Sequence, residues 1–550
     1  MAANGPCTNS LSRRRFLQLA GLTGAASILA SCSPAPAPSP TQAPAAPAAK
    51  PAGATAAPAA PPATQAAQPK KGGTLNMSLG VDFNTFDPFF DVDLQQFKPM
   101  VFDAPLRVGT DGKFELRLAE AYEESADGTS ATIRLRKGVK FHNGREMKDD
   151  DLVWSLDRAK DESLGHQRSD IFKDVQSDTK VDDYTVKVVW KMVKPDMQDA
   201  FTQLWIYPKE AATDIAKKPV GTGPFKFQEW VPGDHTTLVR FDDYWQKDKS
   251  EPYLDKLQIK PIPDPQSRVM NLQGGSIDFL MDVPLAQQVA LSKASDLNLF
   301  RQPPGLTFYC FIMNVTRPPF DNQKVRQAMN YAVDRSKIAT TVFAGQGLTT
   351  LLPYPTTSWA YAKDLENYYT FNPDKAKSLL AEAGFPNGFK FKLLIRGNSG
   401  VYLDQAQVYK EDLAKVGVQA EIVPIELAQY WPKLYASDFD MVSHGTGSAD
   451  LDPSGLFQQA ACCRPFRNFF KITEDKTWFP QYSDLINKAQ VERDQTKRAA
   501  LYHQVLEIYL REGWVMATAW NQMTYAFKKT LNGFRTDTNG DLWLDGAWLS

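Results

Sequence analysis

Residues able to do covalent or acid–base chemistry are few and scattered along this chain. Its five histidines, His142, His166, His235, His444 and His503, show neither the HExxH pattern nor a paired spacing that would hold a metal ion. No Gly-x-Ser-x-Gly turn lifts a serine into position as a nucleophile. Val220-Gly221-Thr222-Gly223-Pro224 is glycine-rich, but it lacks the spacing and the trailing Lys-Ser/Thr of a phosphate loop. Of the five cysteines, only Cys32 has a chemical context, directly behind Leu29-Ala30-Ser31. A thiol is the nucleophile that forms a thioether, and small residues before it admit a peptidase. The expectation is a protein that is not an enzyme and carries no metal and no cofactor.

The elements around Cys32 give that thiol its meaning. Ser12-Arg13-Arg14-Arg15-Phe16-Leu17 sets paired arginines before an apolar run that ends near Ala30. A positive segment followed by a short apolar one reads as an export signal over residues 1–31. The paired arginines resemble the twin-arginine class, with a general secretory signal carrying three arginines as the alternative. Leu29-Ala30-Ser31-Cys32 resembles the lipobox of bacterial lipoproteins, in which the cysteine sulfur carries diacylglycerol. Several acyl chains on one residue exceed what stable membrane anchoring requires. Residues 32–71 then form a linker, almost entirely Pro, Ala, Ser, Thr and Gln from Ser33 to Pro69. Such a tract cannot bury enough apolar surface to fold, and as polyproline II it would reach on the order of 100 Å. Cys7 leaves with the signal, so the body keeps Cys310, Cys462 and Cys463. A vicinal Cys462–Cys463 disulfide, a bridge from Cys310 to either, and three free thiols all stay open.

At 550 residues the chain exceeds what one hydrophobic core supports, so two or more domains are expected. With 62 basic and 63 acidic residues there is no cationic excess to release counterions, which argues against nucleic acid as a partner. The 12 Trp, 19 Tyr and 32 Phe serve mostly as core, and the remainder could line a cleft for an organic solute. Strands are predicted at Thr74–Leu79, Thr132–Arg136, Tyr184–Trp190, Phe389–Ile395 and Val418–Pro424. Helices are predicted at Met147–Lys160, Lys324–Ala339, Asp374–Gly384, Leu403–Gly417, Tyr482–Arg493 and Gln495–Glu512. This alternation is α/β.

Several blocks together carry a family resemblance. They are Gly72-Gly73-Thr74-Leu75 with Phe86-Asp87-Pro88, Leu135 through Gly144 leading to Asp150-Asp151-Leu152-Val153-Trp154-Ser155, and Val220 through Phe225 with Asp243-Tyr244-Trp245. Met313-Asn314-Val315, Pro319-Phe320-Asp321, Val325-Arg326-Gln327-Ala328, Ala332-Val333-Asp334-Arg335 and Asn372-Pro373-Asp374 complete the set, in family order. The chain resembles the family 5 (cluster C) extracellular solute-binding proteins, which include dipeptide- and oligopeptide-binding lipoproteins. The resemblance implies the type II periplasmic-binding-protein fold, a Venus flytrap of two lobes with an extra subdomain in the first. Lobe I would take 72–105, 208–305 and 520–550, the extra subdomain 106–207, and lobe II 306–519. It implies a monomer that gives a small organic ligand, a peptide by preference, to an ABC permease with its ATPase subunits. Sugars or glycosides, nickel complexes and opines are the alternative ligands. An exported hydrolase or a sensor for a membrane receptor would be the rival classes. Gly221 and Gly223 are expected to supply positive φ or close backbone approach.

Ligand contacts follow from the same resemblance. In peptide-binding relatives, a loop equivalent to Ser443 through Pro453 presents an aspartate to the peptide's α-amino group, and Asp450 is the best match. Its spacing to the acidic-Pro pair is one residue short and the upstream Trp is missing, so an Asx-type turn capped by Asp450 and Asp452 competes with that role. The resemblance also puts Asp82, Phe83, Tyr309, Tyr430, Trp431, His444, Trp520 and Asn521 near the cleft. Arg326 and Arg396 are expected in interlobe or surface salt bridges rather than on a ligand carboxylate.

Overall fold

A computed structural model describes residues 68–550, apart from 91–94, 165–168, 247–250, 303–306, 346–347, 398–399, 447–452, 454–476 and 538–539. The export signal, Cys32, most of the linker, Asp450, Asp452, Cys462 and Cys463 lie outside the described residues. Ala66–Ser550 form one compact unit.

The body opens on β1 (Thr74–Leu79), whose side chains alternate until the last three are all buried, as a central strand requires. A short ribbon follows, β2 (Leu106–Val108) with β3 (Phe114–Leu116). An antiparallel sheet comes next, built from β4 (Ala119–Glu124), β5 (Ser130–Leu135), β6 (Val175–Asp182) and β7 (Thr185–Trp190) in the order β4-β5-β7-β6. The chain then returns to β1 with β8 (Phe225–Val231), β9 (His235–Arg240), β10 (Lys256–Pro261), β11 (Phe279–Leu280) and β12 (Leu297–Arg301). It crosses into β13 (Thr307–Met313), β14 (Leu348–Thr349), β15 (Lys390–Arg396), β16 (Gln419–Ile425), β17 (Met441–Thr446) and β18 (Val515–Asn521), and comes back once more as β19 (Thr524–Lys528). The result is a seven-stranded sheet, β12-β19-β11-β1-β10-β9-β8, and a six-stranded sheet, β14-β18-β13-β17-β15-β16.

Each large sheet is mixed, and its parallel strands set its polarity. β10 and β11 run parallel to β1, and β16 and β17 run parallel to β15. One core joins the first sheet to the four-stranded sheet, with Leu75, Met77, Ile133 and Leu257 fully buried in it. The six-stranded sheet buries both faces. Phe308, Cys310 and Ile312 point one way, while Phe311 and Met313 point the other, as a period of two dictates.

The strands and the α/β alternation agree with the sequence to within a few residues. One helix does not. The periodicity over Lys324–Ala339 is interrupted, giving helices Gln323–Tyr331 and Arg335–Thr341. Asp334 breaks it: its backbone is extended, its carboxylate accepts the Lys337 N–H at 3.1 Å, and its own N–H donates to Asp412. An N-cap of this kind outweighs a continuous apolar stripe. The helix expected from Tyr482 runs Phe479–Ala489 instead, starting earlier on Pro480 and ending earlier.

Arg326 corrects another expectation. It is 1% exposed, donates to the Glu512, Phe320 and Asp321 carbonyls, and pairs with the Glu512 carboxylate at 3.3 Å. It therefore ties the second unit together internally, neither bridging lobes nor sitting on the surface. Asn314 does similar work, donating to the Ser437 and Phe439 carbonyls.

A second buried charge cluster fixes the first unit. Arg117 donates to Asp103 and to the Tyr244 hydroxyl, both at 2.7 Å, and lies 3.3 Å from Asp545. Burial raises the Asp103 carboxyl despite Arg117. Burial pushes Asp545 the same way, but Arg117, Arg535 and Arg107 outweigh it and hold that carboxyl below its ordinary value. The network links the ribbon, the first sheet and the chain end. The four-stranded unit also reaches the second one, where Arg493 donates to the Ala126 carbonyl.

Gly221 and Gly223 serve close approach, not positive φ. A Cβ on Gly221 would lie 2.1 Å from the Val101 oxygen, and one on Gly223 would lie 2.5 Å from the Val101 carbonyl carbon. His142 clamps this loop: Nε2 donates to the Gly223 carbonyl at 3.0 Å while Nδ1 accepts the Gly221 N–H at 3.3 Å. Only a neutral ring can do both, and burial pulls the His142 pKa from 6.5 down to about 4. The folded state thus resists protonation more than the unfolded state does. Its contribution is whole above pH 6.5 and is lost as pH falls toward 4. Unfolding monitored by circular dichroism should lose about 1–3 kcal/mol across that window from this group. His142→Gln, which does not titrate, should remove that part of the slope.

Candidate functional site

Strand polarity brings two sheet edges toward each other. In the first sheet, the carboxyl ends of β1, β10 and β11 lie on one edge, beside the end of β12 and the start of β19. In the second, the carboxyl ends of β15, β16, β17 and β18 share an edge with the start of β13. In open α/β sheets, ligands bind beyond the carboxyl ends of the parallel strands. The chain crosses between these two edges twice, from Arg301 to Thr307 and from Asn521 to Thr524.

Gln302 fastens the crossings. It is 1% exposed. Its backbone N–H donates to the Met523 carbonyl at 2.9 Å, its Nε2 donates to the Asp537 carbonyl at 2.7 Å, and its Oε1 accepts from the Tyr525 hydroxyl at 3.1 Å. Thr307 pairs with Asn521 on the far side. Hydrogen bonding thus joins the two segments into a strap where Gln302 meets Met523.

Arg396, the last residue of β15, stands on the second edge. Its guanidinium carbon lies 5.6 Å from the Tyr402 ring centre and 5.7 Å from that of Tyr430. Among the described residues no carboxylate pairs with it, contrary to the expected salt bridge. The ring faces and a hydrogen bond to Tyr402 meet the cation instead. Tyr309, half-buried near the start of β13, packs edge-on against Tyr402 at 5.5 Å, and the charges of Asp282 and Arg396 both reach it.

Tyr430 is 1% exposed on the helix Leu427–Tyr435. Its hydroxyl lies 2.9 Å from the Ser443 carbonyl and 2.8 Å from His444 Nδ1. A carbonyl only accepts, so the hydroxyl donates there and receives the Nδ1 proton of buried His444. Trp431 is 37% exposed, edge-on to Tyr430 and His444 and stacked on Tyr435. It forms an open aromatic ledge.

The remaining candidates fall elsewhere. Trp520 is 2% exposed and tilts against Phe308 at 5.2 Å, inside the core of the second unit, where its indole N–H has no partner among the described residues. Asn521 ends β18 opposite Thr307. Phe83 is packed on Phe86 and Phe97 within the first core. Asp82 holds its own loop, accepting from the Trp230 indole and the Gly233 N–H. Asp450 lies outside the described residues. Cys310 is a buried free thiol whose pKa burial raises, and Cys462 and Cys463 lie outside the described residues. Among the described residues, no group of three or more His, Cys, Asp or Glu could hold a metal ion, and no helix is long and apolar enough to cross a membrane.

Comparison with known proteins fits this architecture. Residues 113–468 match the family described as bacterial extracellular solute-binding proteins, family 5 middle, and the chain belongs to that family. It is 29% identical over 484 residues to the glutathione-binding protein GsiB of Shigella flexneri, covering 83% of this chain and 91% of that protein. AgaA from A. tumefacien R10, solved with agropinic acid, superposes with a TM-score of 0.75 at 27% identity, covering 87% and 99% of the two chains. The ABC transporter-associated periplasmic binding protein DppA from Helicobacter pylori, solved with the peptide STSA, gives 0.75 at 26% identity, covering 87% and 98%. This protein is therefore an exported family 5 substrate-binding protein of the ABC-transporter type, with the type II two-lobe fold, and not an enzyme.

Because the strap holds the two edges together, Gln302→Ala should lower unfolding stability by about 1–3 kcal/mol, through the Tyr525 hydroxyl left without its acceptor. Chemical denaturation followed by Trp fluorescence checks this. An unchanged midpoint would remove Gln302 from the account.

Proposed function

We propose that this protein captures a small peptide-like ligand bearing a free carboxylate and delivers it to an ABC permease with its ATPase subunits. The observation that carries the reading is Arg396: a guanidinium at the carboxyl edge of the second sheet, ringed by Tyr402 and Tyr430, and without a carboxylate of its own among the described residues. A cation so placed costs free energy unless something anionic meets it, and a planar guanidinium suits a carboxylate. Tyr309 and Trp431 are proposed to line the approach, with buried Tyr430 and His444 packed against Trp431, and Asp450 and Asn521 remain proposed contacts. Glutathione, named for the relative GsiB, and the peptide STSA, bound by the relative DppA, both carry free carboxylates.

The proposed lobe I of 72–105, 208–305 and 520–550, extra subdomain of 106–207 and lobe II of 306–519 are supported by which strands share a sheet, except that Trp520 and Asn521 end β18 and so go with the second sheet. The proposed tether is a lipid on Cys32 after a twin-arginine signal, with the Pro/Ala-rich segment as spacer and the body acting as a monomer.

Two experiments test this. Isothermal titration with reduced glutathione and with free and C-terminally amidated dipeptides should show binding that prefers the free carboxylate. Arg396→Gln should weaken the free-acid ligands about 30-fold or more and change the amidated ones little. Equal affinities in both proteins would refute the carboxylate role. For the tether, Cys32→Ser should abolish incorporation of labelled fatty acid and release the protein from the membrane fraction. Continued labelling of that variant would place the anchor elsewhere.

A further inference from the structure

An open cavity of about 610 Å³ lies where the β2–β3 ribbon, the end of β5 and the segment after β9 meet. Arg107, Arg136, Lys137, Glu115, Glu120 and Trp245 are among its lining residues, and none of the residues placed at the two carboxyl edges is. Behind it runs a row of planar groups. The Arg136 guanidinium carbon lies 5.2 Å from the Trp245 ring centre, and that of Arg117 lies 5.0 Å from the same ring. Arg117 also lies 4.9 Å from the Trp543 ring centre, and Arg107 lies 5.2 Å from it. Three guanidinium groups and two indoles thus alternate from the cavity into the first unit.

This row holds more positive charge than the carboxylates beside it offset. Arg107, Arg117 and Arg535 share Asp103, Asp545 and Glu115, and burial raises the Asp103 carboxyl toward its neutral form. Burial, together with the charges of Arg117 and Arg535, pulls Arg107 below its ordinary value. Arg107 Nη1 and Arg117 Nε are buried donors that make no hydrogen bond among the described residues. The two carboxylates on the cavity wall are already engaged, Glu115 with Arg107 and Glu120 with Arg134 at 2.8 Å. Arg136 takes no share of them. Its Nε donates to the Arg117 carbonyl at 2.6 Å, and among the described residues no carboxylate pairs with it.

We infer that this cavity is a second binding site, separate from the carboxyl edges, and that it takes a small oxyanion, a phosphate or a polycarboxylate, on Arg136. The Trp245 ring and the Arg117 carbonyl fix the guanidinium plane, which leaves its two Nη groups as a fork for paired oxygens. The buried arginines behind it add positive potential, and exposed Lys137 stands beside it at the rim. An anion held there offsets the surplus charge of the row. Because it binds the folded chain alone, it stabilises the body.

Isothermal titration of the purified full-length protein in Tris chloride, with sodium phosphate and with citrate, tests this. The native protein should bind at least one of the two, and that anion should raise its melting midpoint above the midpoint in sodium chloride of equal ionic strength. Arg136→Gln should weaken the binding about 10-fold or more and abolish that rise. Glu120→Gln, which removes a repelling charge from the wall, should tighten it by about 2–5-fold. No binding of either anion, or equal binding by native protein and Arg136→Gln, would overturn the assignment. Loss of binding in Arg396→Gln instead would move the anion to the edge of the second sheet and overturn it too. If Arg136→Gln lacks the native circular dichroism spectrum, Glu120→Gln decides, and unchanged or weaker binding by that variant rejects the site.

Discussion

The double crossing of the chain between its two large sheets is the constraint on which the rest depends. Arg396, proposed to meet the ligand, stands at a strand end of the second sheet, facing the crossings to the first. The relation between the two sheet edges is set where Gln302 and Met523 meet. A single crossing would leave the second unit free to rotate about one backbone. Two crossings joined by hydrogen bonds leave only a bending motion about the strap. Gln302 is suited to this position because an amide both donates and accepts, tying the first crossing to the Asp537 carbonyl and the Tyr525 hydroxyl at once.

Given that strap, charge placement decides what closure recognises. A binding protein signals through the difference in ligand affinity between its open and closed forms. Groups that the ligand meets on one lobe only contribute equally to both forms. Groups on opposite lobes contribute to the closed form alone. Among the described residues Arg396 lacks a counter-charge at contact distance, whereas Arg326 and Arg117 are paired within their own units. The contrast separates charges that build the protein from charges held open for a partner.

The motifs by which the family is recognisable turn out to be spent on the fold. Asn314 stitches two carbonyls, Asp334 and Asn372 cap helices, Arg326 joins a helix to the Glu512 turn, and Gly221 with Gly223 lets Val101 pass. Aromatic residues near strand ends divide in the same way. Trp520 and Phe83 were candidates by position, yet both are buried in cores, while Trp431 remains exposed. Position along the chain does not say which way a ring turns, because one residue of register sends a strand side chain to the opposite face.

Alone, the sequence determined what depends on local chemistry: the α/β alternation, most strand positions and, through its motif blocks, the family. These are legible because a strand's period, a cap or a motif block is written within a few adjacent residues. The break at Asp334 escaped notice because a cap and a continuous apolar stripe compete, and the hydrogen bond to Asp412 that favours the cap comes from far along the chain. Only the tertiary structure brings the candidate site residues together. Tyr309 was named only through the family resemblance, and it and Arg396 are far apart in sequence and belong to no motif spacing; Arg396 even looked like a salt-bridge residue. What makes them a site is that parallel strands end on one edge and that the chain crosses twice between two such edges. That juxtaposition is a property of topology, which no local stretch of residues encodes.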